Sequence, residues 1–344
     1  MKAALRMLSV ILATAYSGGI ILWLVLRVIL PDSRLWCLAV ANTFAEYLFL
    51  PLVPIILAAW MARSRWALAT TAVPLAVFLW MFGPLFLPRL PPPRVEGRPL
   101  IIMTFNVWGF NRNAQAIASV IRQVDPDIVL LQEFRGWVVT DLAEELGDAY
   151  PYHDLPDAYL TKGSLGIFSR YPIVSAQRLL LPDVWRPILY TILEVDGQRI
   201  HVFNLHLISS SRVFRWGSSP RYIERTYERR ELAATRLQKF IATLEGPIIV
   251  AGDLNTTPQT TTYRILTTDL KDAFYTVGWG FGHTYPARSR RIRRTLIPAR
   301  LLRIDHILYS SHFEAVRAYV GPWDGISDHL PVVAELRLNQ EVSP

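Results

Sequence analysis

The stretch PIIVAGDLN at residues 247–255 decides the fold of this chain. An apolar run of strand length is followed at once by a polar segment that contains Asp253 and Asn255. These two residues are two positions apart, so in an extended segment their side chains point the same way. Asp253 can orient a water molecule, and the Asn255 amide can donate to an anionic oxygen. The same residues also suit an Asx turn that leads from the strand toward Pro258.

Five further apolar runs carry polar side chains at one end. They are LIIMTFNV at 100–107, DIVLLQE at 127–133, RIHVFNLHL at 199–207, RIDHIL at 303–308 and SDHLPVVAEL at 327–336. The runs LIIMTFNV, DIVLLQE and RIHVFNLHL, together with PIIVAGDLN and the PVVAELRL that ends the last motif, have the length of buried strands. Residues 113–124 and 221–245 repeat apolar side chains at helical spacing, which predicts helices between the strands. The pattern predicts a mixed α/β domain of stacked sheets covered by helices.

Glu133 and Asn106 are candidates for a metal site. A carboxylate at the end of a strand, such as Glu133, can hold a hard cation such as Mg²⁺ while water fills the other positions. Asn106 would lie beside Glu133 if the two strands pair, and its amide would then contact metal-bound water or the substrate. A solvated side chain at the end of a strand is the ordinary alternative for Glu133.

Two histidines supply the remaining chemistry. His206 and Asn204 share one face of their strand, and the histidine can either donate to an anionic oxygen or be an ordinary core residue. His329 needs an acceptor on its far nitrogen to act as a general base, and Asp305 is the natural partner. Asp328 is then free to act on the metal. This inventory suits metal-assisted hydrolysis of a phosphate ester.

From about residue 100 to residue 338, these motifs and their order resemble the endonuclease/exonuclease/phosphatase superfamily, the deoxyribonuclease-I-like hydrolases. The resemblance implies a four-layer α/β-sandwich, with two packed mixed sheets flanked by helices. It also implies Mg²⁺-dependent cleavage of phosphate esters, with Mn²⁺ as the alternative ion. With the spacing arguments above, the predicted roles are catalysis by His329, Asp305, Asp253 and His206, substrate binding by Asn255, Asn106 and Asn204, and metal binding by Glu133, Asp328 and Asn106.

The first motif departs from the pattern of some nucleases in this superfamily. Those enzymes place an acidic residue two positions after the asparagine, where this chain has Trp108. The resulting sequence NVWG is more similar to the sphingomyelinase branch than to the abasic-site endonucleases. An aromatic residue at the end of a strand can also serve packing alone.

The first 88 residues predict a membrane region. Residues 7–26 and 66–88 carry no charge, and residues 36–61 carry only Glu46. Each run is long enough to cross about 30 Å of hydrocarbon, so we predict three transmembrane helices. Buried core helices or a cleaved signal peptide fit three such runs less well. Residues 89–99 contain three consecutive prolines and predict a linker to the catalytic domain at 100–338, which a tail at 339–344 follows.

Basic residues flank the predicted spans unequally. One side carries Lys2, Arg6, Arg63 and Arg65, and the other carries Arg27, Arg34 and Asp32. The excess favours an N-terminus inside the cell, and three crossings then place the catalytic domain on the extracytoplasmic side. Arginines after the third span argue the other way: Arg89, Arg94 and Arg98.

Charge and cysteine content narrow the interpretation further. The net charge is +8, but residues 1–95 hold eight basic and two acidic residues, while the remainder holds 28 and 26. Most of the basic excess therefore belongs to the membrane region rather than to a nucleic-acid surface.

The single cysteine, Cys37, excludes an internal disulfide. Glu46 is the one ionisable residue inside a predicted span, which makes it a candidate for transport or proton relay.

Two basic loops flank the predicted site. One covers residues 209–221, and the other lies between His283 and Asp305 and contains seven arginines: Arg288, Arg290, Arg291, Arg293, Arg294, Arg300 and Arg303. These arginines could follow a nucleic-acid backbone, contact anionic lipid headgroups or form a solvated loop with no partner.

The sequence therefore predicts an integral membrane protein that is a Mg²⁺-dependent phosphoesterase acting on a phosphodiester or phosphomonoester. The substrate is a phospholipid, a nucleic acid or a small phosphate ester, and no protein partner is indicated. The alternatives are an extracytoplasmic nuclease acting on DNA or RNA, and a catalytically silent membrane sensor or scaffold with the same fold.

Overall fold

Two six-stranded mixed sheets form the centre of the region that begins at Leu100 in the computed structural model. The structure describes residues 2–89, 98–156, 164–209, 219–292 and 295–339. In chain order the helices are α1 Lys2–Ile29, α2 Trp36–Thr43, α3 Leu52–Met61, α4 Arg65–Phe82, α5 Ala114–Val124, α6 Trp137–Leu146, α7 Pro220–Ile241, α8 Thr261–Leu266 and α9 Ala273–Val277. The strands are β1 Leu100–Asn106, β2 Ile128–Gln132, β3 Tyr152–Asp154, β4 Gly166–Ser169, β5 Ile173–Leu179, β6 Ile188–Val195, β7 Gln198–His206, β8 Ile248–Asp253, β9 Lys271–Asp272, β10 Arg290–Ile292, β11 Thr295–Ile297, β12 Asp305–Tyr309, β13 Phe313–Val320 and β14 Val332–Leu338.

Each sheet has one parallel pair of strands at its centre. The first sheet has the order β13-β14-β1-β2-β4-β3, and the second has the order β5-β6-β7-β8-β12-β9. The parallel pairs are β1/β2 and β7/β8, and the other neighbours are antiparallel. Strands β10 and β11 form a separate hairpin.

Alternate residues of the central strands face opposite layers. In β2, Ile128 and Leu130 belong to the apolar core between the two sheets. Val129 and Leu131 pack instead with helices α5 and α6. Strand β8 alternates in the same way, and its outer face packs against α7 and α8. Helix, sheet, sheet and helix thus follow one another, as expected for the predicted α/β-sandwich.

The strand registers bring the predicted polar residues to one edge. The β7/β8 register pairs His206 with Asp253, and the β8/β12 register pairs Asp253 with Asp305. In the other sheet Asn106 pairs with Gln132, the residue before Glu133. The ends of β1, β2, β7 and β8 therefore meet, and β12 begins at the same edge.

The close pairing of β7 and β8 requires a glycine at position 252, opposite Leu205. Its φ is +142°, and a Cβ at this position would lie 1.9 Å from the carbonyl oxygen of Leu205. Only glycine allows so close an approach without moving the backbone. The Gly-Asp dipeptide of the opening motif is therefore a packing requirement of the parallel pair as well as a source of chemistry.

The N-terminal region differs from the prediction in its second apolar run. Among the described residues, two helical segments, Ala3–Ile29 and Arg65–Phe86, are long and apolar enough to cross a membrane. The predicted continuous span at 36–61 is instead two helical pieces, Trp36–Thr43 and Ala45–Met61, which meet at an angle of 85°. Three straight transmembrane helices are therefore not established, and the broken pair is either one bent span or a re-entrant segment.

Residues at this break touch the catalytic region. The Tyr47 hydroxyl donates to the Leu301 carbonyl at 2.7 Å. Glu46, the carboxylate of the predicted span, lies 3.0 Å from Nε2 of His283. Glu46 thus has a partner on the catalytic region, which gives no support to a separate role in transport.

A second set of contacts ties the start of the broken pair to α8. The carboxylate of Asp32 accepts from the Thr261 backbone amide at 2.8 Å, and Asp32 donates its own backbone N–H to the Thr261 hydroxyl at 3.1 Å.

Most of the predicted linker, residues 90–97, lies outside the described residues, as does the tail at 340–344. The domain boundaries at 88 and 100 stay predictions.

Candidate active site

A cavity of about 340 Å³ lies where the ends of the two sheets meet. Six of the predicted residues line it: Glu133, His206, Asp253, Asn255, Asp328 and His329. Asn106 and Asp305 lie behind this lining and hold members of it in place. The structure therefore brings together most of the side chains that the sequence selected.

Asp253 and Asn106 link the two sheets. The Asn106 Nδ2 donates to Asp253 Oδ2 at 3.0 Å and lies 3.4 Å from Glu133 Oε1. The Asn106 Oδ1 accepts from the Trp108 amide at 3.0 Å, which fixes the orientation of the side-chain amide. A buried amide held at both ends is a rigid support for two carboxylates.

Asp305 orients His329. The Nδ1 of His329 lies 2.9 Å from Asp305 Oδ2, and its Nε2 lies 3.9 Å from Asp253 Oδ2. The Thr284 hydroxyl also donates to Asp305 Oδ2, at 2.6 Å. With Nδ1 engaged, only Nε2 is left to act on a reacting group, which is the geometry of a base held by a carboxylate.

The charges around His329 and Asp253 are coupled. Burial disfavours the imidazolium, but Asp305 and Asp253 outweigh that effect and raise the pKa of His329 to about 10. Burial, with the charge of Asp305, raises the pKa of Asp253 to about 7, although His329 and two hydrogen-bond donors oppose this. The pair therefore holds a proton on His329 at neutral pH.

His206 stays neutral in the same cavity. Burial is the largest cause that holds its pKa well below the usual range, and the charges of Arg186 and His329 act in the same direction. Its Nε2 lies 3.5 Å from Asp253 Oδ2 and 3.8 Å from Glu133 Oε1. A neutral imidazole at this point can donate one hydrogen bond to a substrate oxygen without adding charge.

Glu133 fits a metal ion. The Gly109 amide donates to its Oε2 at 2.8 Å, while the side chain is 33 % exposed and faces the cavity. A partly open carboxylate suits Mg²⁺, which retains several waters and takes oxygen ligands. Asp253, Asp305 and His329 also place donor atoms within 4.8 Å of one another. That group is buried and already engaged internally, so Glu133 beside Asn106 is the better fit for a hydrated ion.

Asn255 and Asp328 line the cavity but have other partners. The Asn255 amide nitrogen donates to the Leu207 carbonyl at 3.1 Å, and its backbone amide donates to Asp253 Oδ1 at 2.9 Å. Asp328 Oδ2 accepts from Arg290 at 3.1 Å. A metal role for Asp328 would have to displace this arginine, so it stays a prediction.

Asn204 is not brought to the cavity. It is fully buried between the sheets, where its amide nitrogen donates to the carbonyls of Leu131 and Gly166. Its oxygen accepts from Gln132 at 2.8 Å. Because both ends of the amide are used within the protein, the geometry gives no support to the predicted role in substrate binding. Asn204 and His206 do lie on the same face of β7, but Asn204 is two residues further from the cavity end of the strand.

Three residues that the sequence did not single out also contribute to the candidate active site. Ser327 donates to the Asn106 carbonyl at 2.7 Å and accepts from the His329 amide, so it joins the last motif to the first. Its place in the SDH motif was the available signal. Thr43 and Phe44, from the break in the second apolar run, line the cavity, and no local pattern indicated them.

The predicted arginine patch divides into different environments. Arg303 is buried and pairs with Asp272 at 2.7 Å, and Arg290 pairs with Asp328. Arg288, Arg291 and Arg300 are exposed, while Arg293 and Arg294 lie outside the described residues. Residues 210–218 of the other basic loop also lie outside them.

The sandwich and its site define a hydrolase of phosphate esters that depends on a metal ion. The profile of the Endonuclease/Exonuclease/phosphatase family matches residues 103–329, well over half of the chain. The chain belongs to this family. The resemblance and the prediction of an enzyme are thereby confirmed, and the alternative of a silent sensor or scaffold is not supported. A comparison with curated proteins finds no match.

Solved structures share the fold. An endonuclease/exonuclease/phosphatase from Beutenbergia cavernae is 24% identical over 72% of this chain and 74% of its own, with a TM-score of 0.51. D. rerio TDP2, complexed with single strand DNA product, is 16% identical over 69% and 98%, with a TM-score of 0.54. Sphingomyelinase C from Streptomyces griseocarneus is 20% identical over 70% and 99%, with a TM-score of 0.51. At these identities the likeness concerns the fold alone.

Proposed function

We propose that this protein is a membrane-anchored, Mg²⁺-dependent phosphoesterase whose substrate is a phosphate ester presented at the membrane. The observation that carries the proposal is the position of Thr43 and Phe44 in the lining of the cavity that contains Asp253 and His329. The apolar N-terminal region is therefore part of the active-site wall. A soluble ester would not need such a wall, whereas an amphiphile would contact it with its apolar part.

The exposed surface of the N-terminal helices supports membrane insertion. Large apolar side chains there are more than half exposed, among them Val28, Trp60, Trp66 and Trp80. So many exposed large apolar side chains are unfavourable in water and favourable in lipid. Trp60 and Trp66 lie beside Arg63 and Arg65, a combination typical of a membrane–water interface. The catalytic region would then lie on the opposite, extracytoplasmic side.

The proposed reaction uses residues on both sheets. Glu133 would hold the Mg²⁺ ion, whose positive charge would offset that of the phosphate, and Asn106 would orient Glu133 through Nδ2. Asp253 and Nε2 of His329 face one cavity, where a water that contacts both is oriented for attack. The water would pass its proton to Asp253, because His329 already holds a proton at neutral pH, or to Nε2 of His329 once that group is deprotonated. His206 and Asn255 would donate to phosphoryl oxygens, and Asp305 keeps His329 in the required tautomer.

A nuclease is the second candidate. The exposed arginines Arg288, Arg291 and Arg300 near the cavity could follow a nucleic-acid backbone. The D. rerio protein was solved with a single strand DNA product. Against this candidate, the cavity is walled in part by Phe44, which leaves less room for a strand.

Turnover by the full chain tests the proposal. The protein is reconstituted in vesicles and assayed with phospholipid, with a soluble phosphodiester and with single-stranded DNA, each with Mg²⁺ or EDTA. We expect lipid turnover that EDTA abolishes and that Asp253→Ala and His329→Ala reduce by at least about a hundredfold. Asp183→Ala, an exposed carboxylate outside the cavity, is the matched control. Equal rates in all variants would reject the assigned site, and DNA cleavage without lipid turnover would favour the nuclease.

A further inference from the structure

A second cavity adjoins the active site. It has a volume of about 510 Å³ and shares three lining residues with the first cavity: Glu133, Arg186 and His206. A phosphate placed against Glu133 and His206 therefore lies at the junction of two chambers. The proposed reaction uses the chamber of Asp253 and His329 and leaves the other one without a role.

Four arginines line the second cavity: Arg135, Arg186, Arg229 and Arg230. Glu133 is the one acidic residue in its lining as the structure describes it. The cavity is therefore strongly positive. Like charges gathered in a cleft repel one another and gain stability when an anion binds among them.

Arg230 is the clearest sign of a missing ligand. Its side chain is only 2 % exposed, yet Nε and Nη2 have no hydrogen-bond partner among the described residues. The guanidinium carbon lies 4.1 Å from the ring of Tyr227, which supports the cation but satisfies no donor. A buried charge without hydrogen bonds is costly, so a site of this kind is completed by an anion with several acceptor atoms.

Two carboxylates act on Arg230 but do not satisfy it. Asp32 and Glu231 interact with it electrostatically. Asp32 accepts from Thr261 and Asn42, and Glu231 accepts from Ser33, so both are occupied by other donors. Neither forms an ion pair with Arg230 in the described part of the chain. Their charges reduce the positive field and leave the unpartnered donors in place.

The other arginines are held in position. Arg229 lies over the ring of Trp185 at 4.5 Å, and Arg186 donates to the His206 carbonyl at 3.3 Å. Arg135 donates to the Gly109 carbonyl at 3.0 Å through Nε. Each contact fixes one part of a guanidinium. Guanidinium groups that are ordered in advance recognise phosphate oxygens in pairs at a reduced cost in entropy.

We propose that this arginine cavity binds a second phosphate-class anion of the substrate, next to the phosphate that is hydrolysed. The inference rests on the proposed function, and it narrows the substrate to an amphiphile that carries at least two such anionic groups. The apolar part would contact the Phe44 wall of the first cavity, and the additional anion would contact Arg229 and Arg230. A nucleic acid, whose neighbouring phosphates could occupy the same cavity, is the alternative outcome.

Anion binding measured without a metal ion tests the arginine cavity separately from hydrolysis. Isothermal titration calorimetry with the full chain in detergent and EDTA compares inorganic pyrophosphate with orthophosphate. We expect pyrophosphate to bind at least tenfold more tightly, because its two groups reach both chambers. Arg229→Met and Arg230→Met should each weaken pyrophosphate binding at least tenfold. Arg225→Met, which removes an exposed arginine of α7 outside the cavity lining, should change it less than twofold.

The outcomes separate the two proposals. If Arg229→Met and Arg225→Met bind pyrophosphate as the unaltered protein does, the arginine cavity is not an anion site, whatever the enzyme hydrolyses. The exposed position of Arg229 keeps this result interpretable even if Arg230→Met fails to fold. A second comparison applies if the anion site is confirmed. Vesicles that contain a bis-phosphorylated lipid should displace bound pyrophosphate more effectively than free pyrophosphate does. If a short DNA strand does so and the vesicles do not, the substrate is not an amphiphile and a nucleic acid is favoured.

Discussion

The carboxylate of Asp305, the first residue of β12, lies 2.9 Å from Nδ1 of His329, which belongs to the loop that precedes β14. Asp305 also faces Asp253 across the β8/β12 pair, so two carboxylates act on one imidazole. That arrangement explains the pKa of about 10 at His329 and makes Asp305 the residue whose charge can be removed with the clearest effect.

Asp305→Asn should lower the pKa of His329, because the imidazolium loses its closest negative charge. If His329 acts as a general base, it must be deprotonated, so the rise of kcat/KM with pH should move to lower pH. The maximum should fall by about a hundredfold to ten-thousandfold, since the tautomer is no longer held. The measurement is a pH–rate profile with Mg²⁺. A fall in rate at high pH that moves to lower pH instead would show that His329 works as a charged donor.

Gly252→Ala should destabilise the protein strongly. The new Cβ would lie 1.9 Å from the Leu205 carbonyl oxygen, so β7 and β8 could not keep their register. We expect a loss of at least about 3 kcal/mol, within the range of severe single substitutions. Gly197→Ala is the control: its φ is also positive, at +79°, but a Cβ there meets nothing within 4 Å. The control should lose only about 1 kcal/mol. Thermal unfolding in detergent compares the two, and similar losses would contradict the close approach.

Asp272→Asn tests the buried ion pair with Arg303. Both side chains are almost fully buried, so the substitution leaves an unpaired guanidinium and should cost about 3–5 kcal/mol. Arg303 and His306 oppose the effect of burial and hold the pKa of Asp272 below its ordinary value. A lowered pKa stabilises the fold above the pKa of an unfolded aspartate, about 3.9, and this contribution is lost as the pH falls below it. The acid destabilisation of the unaltered protein should therefore be weaker in Asp272→Asn. Asp183→Asn, at an exposed pair, should cost at most about 1 kcal/mol.

The sequence predicted those site residues that lie directly beside the end of a strand. Glu133, Asp253 and His329 were identified because each follows or precedes an apolar run, and the registers then bring those ends together. Asn204 has the same local pattern as His206, but strands of the other sheet supply partners for both ends of its amide, and a local pattern does not show such partners. The break at Phe44 could not be predicted, because apolar composition does not distinguish a straight span from two helices bent by 85°.

Phe44→Ala tests whether the N-terminal region takes part in substrate binding. Removing a large apolar side chain from the cavity wall should weaken contact with the apolar part of an amphiphile by about 1.5–3 kcal/mol, roughly a tenfold to hundredfold rise in KM. A soluble phosphodiester makes no such contact, so its kcat/KM should change less than about twofold. Leu50→Ala is the matched control, since Leu50 is 67% exposed, follows the same turn and does not line the cavity. Assays with vesicles and with the soluble ester give the comparison. If Phe44→Ala reduces both activities equally, Phe44 supports the fold of the site, and the membrane region would no longer be required for substrate recognition.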